Sequence, residues 1–228
     1  MTNYLLSLFQ LCDSNLPTGG FSHSFGLETY IQENKVHDKP SFSKWLKMYL
    51  DEQLVYSDGL ACRLVYEALS NNDLAIIWEL DRRITVQNLP RETREGTKKI
   101  GERMLTLGVD LYASPLLQTY KQRVLESVSF AHPAIVFSII AFQLGVPQKL
   151  GISAYLYSSI SGLVQNAVRG IPLGQTAGQQ LLREFQSYIQ ESLDKIGNLA
   201  EEDFGAVAPG LEIAQMKHER VNIRIFMS

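Results

Sequence analysis

Four histidines, two cysteines and scattered carboxylates are the raw material for any metal or catalytic site in this chain. The histidines, His23, His37, His132 and His218, lie far apart, so a metal centre would have to be assembled by the fold or shared between subunits. His218-Glu219 opens like a helical zinc-protease motif, but Arg220, Val221 and Asn222 follow it and the second histidine is missing. His218 is thus a candidate for a transient metal contact through its imidazole, with a surface or helix-capping histidine as the plainer reading. Ser22-His23-Ser24 sets hydroxyls beside an imidazole without the signature of a nucleophile elbow. A small helical hydrolase built on Ser22, His23 and Glu28 meets a geometric objection, because positions 23 and 28 do not share a helical face and no third group orients the ring. Cys12 and Cys62 sit in apolar-rich segments, as reduced packing thiols do. The absence of a His-rich or Cys-rich tract speaks against a metal-storing metallochaperone. There is no glycine-rich string ending in Lys-Ser/Thr to cradle a nucleotide's phosphates.

The elements that would position these groups read as helices. The 228 residues are 45% hydrophobic and 20% charged, enough apolar side chain for a sizeable core. Lys plus Arg number 21 against 24 Asp plus Glu, a net charge of −3 that offers no global grip on a polyanion, so nucleic acid is not expected as a partner. The apolar start from Tyr4 to Leu11 lacks the basic flank of a secretory signal, since the first basic residue is Lys35. It reads as a first helix, and with the cysteine usage it points to a cytoplasmic protein. Apolar residues at three-to-four spacing line one face from Leu50 to Leu69, a second from Ile152 to Val168 and a third from Leu181 to Ile196. From Ala134 to Leu144 nearly every residue is apolar, which predicts a helix enclosed on all sides. That run is shorter than the roughly 20 residues of a bilayer crossing, so no membrane role is expected. His132 and Pro133 open it, and Gly145 with Pro147 closes it. Only Val221, Ile223 and Ile225 alternate like a strand. The expected fold is all-α, a single-domain bundle of about ten helices spanning residues 1–228, without significant sheet.

Four segments carry more than packing. Between Asp13 and Tyr30, the turn around Pro17, Gly19 and Gly20 leaves backbone bare, with Phe21, His23 and Tyr30 beside it. Between Pro90 and Arg103, charges four apart support a solvated helix, yet Gly96 and Gly101 interrupt it, which suits close backbone contact with a neighbouring helix or subunit. Between Ala167 and Gln180, Gly170 and Pro172 explain a hairpin loop, whereas Gly174, Gln175 and Gly178 suit a polar, close-packed contact. In the tail, Ile225, Phe226 and Met227 are unfavourable in water, so residues 220–228 are expected to dock on their own protein or to order against a partner.

The stretch Leu16-Pro17-Thr18-Gly19-Gly20-Phe21-Ser22-His23-Ser24-Phe25-Gly26-Leu27-Glu28 resembles the N-terminal signature of the UreF family of urease accessory proteins. The same family pattern continues in order through Arg91-Glu92 with Gly101 and Arg103, His132-Pro133, Ala167-Val168-Arg169 to Gln175, and Leu211 through His218-Glu219 to Arg224 and Ser228. One departure is Asn222-Ile223, where the family usually carries Tyr-Ser. The resemblance implies a non-enzymatic, all-α protein without a cofactor that forms a homodimer and binds UreD (also called UreH). It further implies that the pair recruits the GTPase UreG and docks on urease apoprotein for GTP-dependent nickel placement. The partner-facing residues it implies are Pro17, Gly19, Gly20, Phe21, His23, Glu28, Tyr30, Arg91, Glu92, Arg103, Arg169, Gly174, Gln175, Gly178, His218, Glu219 and Arg224. Arg224 in particular would fix a loop or partner backbone through its several donors.

Overall fold

The apolar run after His132 becomes helix α8 (Pro133–Gln143), and from Pro133 to Ala141 every residue is buried. The computed structural model describes residues 4–206 and 208–228. Around α8 stand α4 (Leu60–Ser70), α5 (Leu74–Val86), α6 (Arg91–Leu111), α7 (Pro115–Leu125) and α9 (Gln148–Gly170), each in contact with it. Such enclosure needs apolar side chains on every face, which is why this helix shows no amphipathic stripe. A second layer places α1 (Leu5–Cys12), α3 (Lys39–Met48) and α10 (Gln175–Asn198) against α9, while α2 (Leu27–Gln32) and α11 (Pro209–His218) pair at one end. Among the described residues there is no strand, and no helix is long and apolar enough to cross a membrane.

Between α3 and α4 the chain does not break. Residues Tyr49–Gly59 continue it as a π-helix, so among the described residues the eleven α-helical segments form ten rods. The wider turn of i→i+5 bonding draws Tyr49, Gln53, Leu54, Ser57 and Asp58 toward one partly open cleft of about 210 Å³. In an α-helix those positions would spread over about half a turn. Asp58 is held there by the Tyr155 hydroxyl at 2.7 Å and the Ser57 hydroxyl at 2.7 Å, both donating to its carboxylate.

The termini follow local chemistry. Asp38 accepts from the Ser41 amide at 2.9 Å while Ser41 answers the Asp38 amide, a capping box at the start of α3. His132 Nδ1 accepts the Ala134 amide at 3.3 Å, and Pro133 fills the first position of α8, where its missing N–H is not needed. The loop into α8 is pinned from α5: fully buried Asp81 accepts the amides of Phe130 at 2.7 Å and His132 at 2.9 Å. Asp81→Ala strands two buried amides, and we expect a stability loss of roughly 3 kcal/mol in urea unfolding. A variant within 0.5 kcal/mol of wild type, about the scatter of surface changes, would show that water or another acceptor replaces the carboxylate.

Candidate functional site

Phe25 and Gly26 turn the chain into α2 with φ of +52° and +93°. At Gly26 a Cβ would stand 3.0 Å from Gln215 and 3.2 Å from Leu211, so glycine serves both the left-handed turn and the close approach of α11. The turn aims Glu28 inward, and α11 delivers His218 to it. Glu28 and His218 are buried to 1% and 0% exposure. His218 Nε2 lies 2.8 Å from Glu28 Oε2, and Nδ1 lies 2.8 Å from Oε2 of Glu92 in the first turn of α6. The other Glu92 oxygen accepts from Arg224 Nη1 at 2.8 Å. Arg224 also donates to the carbonyls of Glu219 at 2.6 Å and Val221 at 3.2 Å. Glu28 completes the chain by accepting the tail amides of Ile225 at 2.6 Å and Phe226 at 3.2 Å. Four side chains, drawn from α2, α6, α11 and the tail, thus fasten residues 220–228 to the body.

The last residues enter a second set of bonds. Met227 donates its amide to the Ser22 carbonyl at 2.7 Å, while the Ser24 amide and hydroxyl both reach the Ser228 carbonyl, at 2.6 and 2.7 Å. His23 Nδ1 meets the Ser228 hydroxyl at 2.8 Å. Asn166 of α9 donates to the His23 carbonyl at 2.7 Å, and Arg169 donates to the Phe21 carbonyl and the Asn166 amide oxygen. The Arg169 guanidinium lies 5.0 Å from the Phe226 ring centroid and 5.8 Å from that of Phe21, joining turn and tail. Ser228 is 2% and Phe226 3% exposed.

Electrostatics match this geometry. Burial pushes the Glu92 carboxyl up, but hydrogen bonds from His218 and Arg224 outweigh it and leave the group below its ordinary value. Burial, with Lys99 and His218 nearby, holds His23 below the ordinary imidazole value.

The remaining residues singled out in the sequence divide by location. Arg91 and Glu219 pair at 3.2 Å on the rim of the tail site. Arg103 donates to the Pro17 carbonyl at 3.2 Å, so α6 also holds the 16–21 turn in which Gly19 adopts φ +83°. Phe21 faces outward at 63% exposure, whereas His23 turns inward, and Tyr30 is half-buried edge-on to Trp45. A Cβ on Gly96 would fall 2.6 Å from the His23 ring, and one on Gly101 would meet the Ala131 carbonyl, so both glycines of α6 make close contacts within the chain. Gly174, Gln175 and Gly178 serve a different join: the first two lie exposed at the start of α10, and Gly178 lets that helix close on Val164 and Val168 of α9. Sequence reasoning missed Asn166, Ser24 and Ser228. Asn166 left a signal, a polar residue on the apolar stripe that carries Leu163, Val164 and Ala167.

This arrangement does not assemble hydrolytic machinery from Ser22, His23 and Glu28, since His23 binds Ser228 and Glu28 binds His218. Both nitrogens of His218 face carboxylate oxygens, and among the described residues no group of three or more His, Cys, Asp or Glu could hold a metal ion. The fold and site define an all-α protein whose polar residues shape a surface. The UreF family model matches residues 36–186. The urease accessory protein UreF of Lachnoclostridium phytofermentans is 58% identical over 228 residues, all of both chains. That of Bacillus sp. (strain TB-90) is 53% identical over 226 residues, 99% of this chain and all of the relative. The chain belongs to the UreF family of urease accessory proteins, which are maturation proteins and not catalytic enzymes.

Proposed function

We propose that the chain is an adaptor of urease maturation: a cytoplasmic homodimer that, with UreD (UreH), recruits the GTPase UreG. The assembly then docks on urease apoprotein and supports GTP-dependent nickel insertion, with the adaptor regulating the GTPase. The observation that carries this reading is the division of labour in the C-terminal segment. Its polar atoms turn inward to Glu28, Glu92 and Ser24, while Ile223, Ile225 and Met227 point outward at 77%, 56% and 59% exposure. Ile213 and Met216 on α11 are exposed at 53% and 43%. Apolar side chains held outward by an inward polar lock suit capture of a protein partner.

Arg224→Ala tests it. The substitution removes three donors from a side chain that is one-third exposed, so the body should keep its helical content while the tail loses its anchor. Pull-down of UreD and UreG by the variant should fall at least tenfold. Retention of both at the wild-type level would contradict the adaptor role of the tail.

A further inference from the structure

His132 borders the cleft of about 210 Å³ beside the π-helix with one ring nitrogen to spare. A backbone N–H can only donate, so the Ala134 amide, 3.3 Å from Nδ1, places a lone pair on that atom. Burial holds the ring below the ordinary imidazole value, outweighing the carboxylates of Asp58 and Asp81, which act the other way. At neutral pH the ring is therefore uncharged, with its hydrogen on Nε2. The side chain is 6% exposed and lines the cleft, and Nε2 has no partner among the described residues. Tyr49 lines the same cleft from the π-helix, a geometry frequent at functional sites, and its buried hydroxyl also has no partner among the described residues. Burial and then the Asp58 charge push that hydroxyl well above the ordinary phenol value, so it keeps its hydrogen. Asp58 acts on both groups, which gathers two donors around one carboxylate.

We propose that this cleft binds a small uncharged organic molecule whose carbonyl or amide oxygen accepts from His132 Nε2, with the Tyr49 hydroxyl as a second donor. Its apolar part lies against Ile84, Met104 and Phe137, which line the cleft. The wall decides the charge of the ligand. Among the described residues no lysine or arginine lines the cleft, whereas Asp58 and Glu212 do, so an anion finds no counter-charge there. Asp58 already has a hydroxyl 2.7 Å from each carboxylate oxygen, Tyr155 on one side and Ser57 on the other, so a cation would have to displace them. A neutral acceptor meets neither obstacle. An apolar wall with a few converging polar groups is the usual make-up of a small-molecule site. The size fits as well: an apolar cavity of about 150 Å³ holds benzene, so about 210 Å³ admits one ring with a polar substituent. Gly162 of α9 lines the cleft, and a Cβ there would meet no atom within 4 Å, so this part of the wall stands clear of its neighbours.

The test titrates the full chain at neutral pH with three probes of one shape: benzamide, which is uncharged and carries a carbonyl; benzoate, an anion; and benzamidinium, a cation without an acceptor. Nuclear magnetic resonance follows the Gly162 amide and the His132 ring nitrogens. Benzamide should shift both sets of signals saturably, with a dissociation constant of about 1 mM or tighter. Benzoate and benzamidinium should bind more weakly by about tenfold or more, since each brings an unpaired charge to a mostly apolar wall. Tyr49→Phe, which deletes one donor and keeps the ring, should weaken benzamide about fivefold. Gly162→Leu, whose side chain enters the cleft, should abolish its binding. No saturable response to benzamide, shifts that spare Gly162 and His132, binding of either charged probe as tight as that of benzamide, or unchanged benzamide affinity in either variant would each overturn the proposal. The three-probe comparison on wild type decides the matter even if a variant fails to fold.

Discussion

Gly101→Ala should destabilise the fold severely, the largest single-residue effect expected in this protein. A Cβ at that position would lie 1.6 Å from the Ala131 carbonyl oxygen, 2.8 Å from its carbon and 3.0 Å from the Pro133 nitrogen. All three atoms are backbone, so no rotamer change relieves the clash. Ala131 cannot easily retreat, because its φ is +57° and Asp81 pins the residues on either side of it. The crossing of α6 over the entry to α8 would have to open, exposing buried Ile100, Ala134 and Ile135. We expect a loss of about 4 kcal/mol or more, above the usual range for overpacking because rigid backbone is struck. Gly162→Ala is the control. It lies within α9 with nothing within 4 Å of the added carbon, so it should gain up to about 1 kcal/mol of helix propensity. Chemical denaturation of the pair measures both, and a Gly101→Ala midpoint near wild type would refute the close crossing.

Glu28→Ala should have the second largest effect, confined to the tail. The carboxylate is the shared acceptor for His218, Ile225 and Phe226, so its loss leaves a buried imidazole facing one remaining charge and strands two amides. Leaving a buried polar group without its hydrogen-bond partner typically costs about 1–3 kcal/mol for each such group. Here the damage is capped, because the tail can leave the body and water can then reach the stranded groups. The expected outcome is therefore release: free-chain amide signals for Ile225 and Phe226, tail residues open to protease, and loss of partner capture, with only a modest shift in global unfolding. Arg224→Ala should show a weaker form of the same behaviour, since its side chain is already 32% exposed and interacts partly through solvent. A Glu28→Ala variant whose tail stays protected would show that the Ser22–Ser24 contacts alone seat it.

What the sequence reveals depends on how local the cause is. The unbroken apolar run from Ala134 announces α8, because enclosure on every side demands that composition, and Pro133 and Gly145 mark its ends through backbone geometry alone. The glycines at 96 and 101 announce close contacts but not with what, and the structure supplies the His23 ring and the Ala131 carbonyl. The π register from Tyr49 to Gly59 is silent in the sequence, since apolar spacing around Leu50 and Leu54 fits an α-helix equally well. Asp81 is silent for another reason: a carboxylate on a helix normally reads as solvated, and only its contact with a distant loop makes it structural. The tail site lies between these cases. Glu28, Glu92, His218 and Arg224 all stand in segments marked as more than packing, yet their convergence on one chain of bonds depends on contacts between residues more than a hundred positions apart.

Light scattering during size-exclusion chromatography, on the chain mixed with UreD, tests most directly whether the seated tail makes a partner surface. Wild type should elute with UreD at the mass of a joint complex, and Glu28→Ala should elute apart from it. Separate elution of wild type, or joint elution of both proteins, would contradict that role.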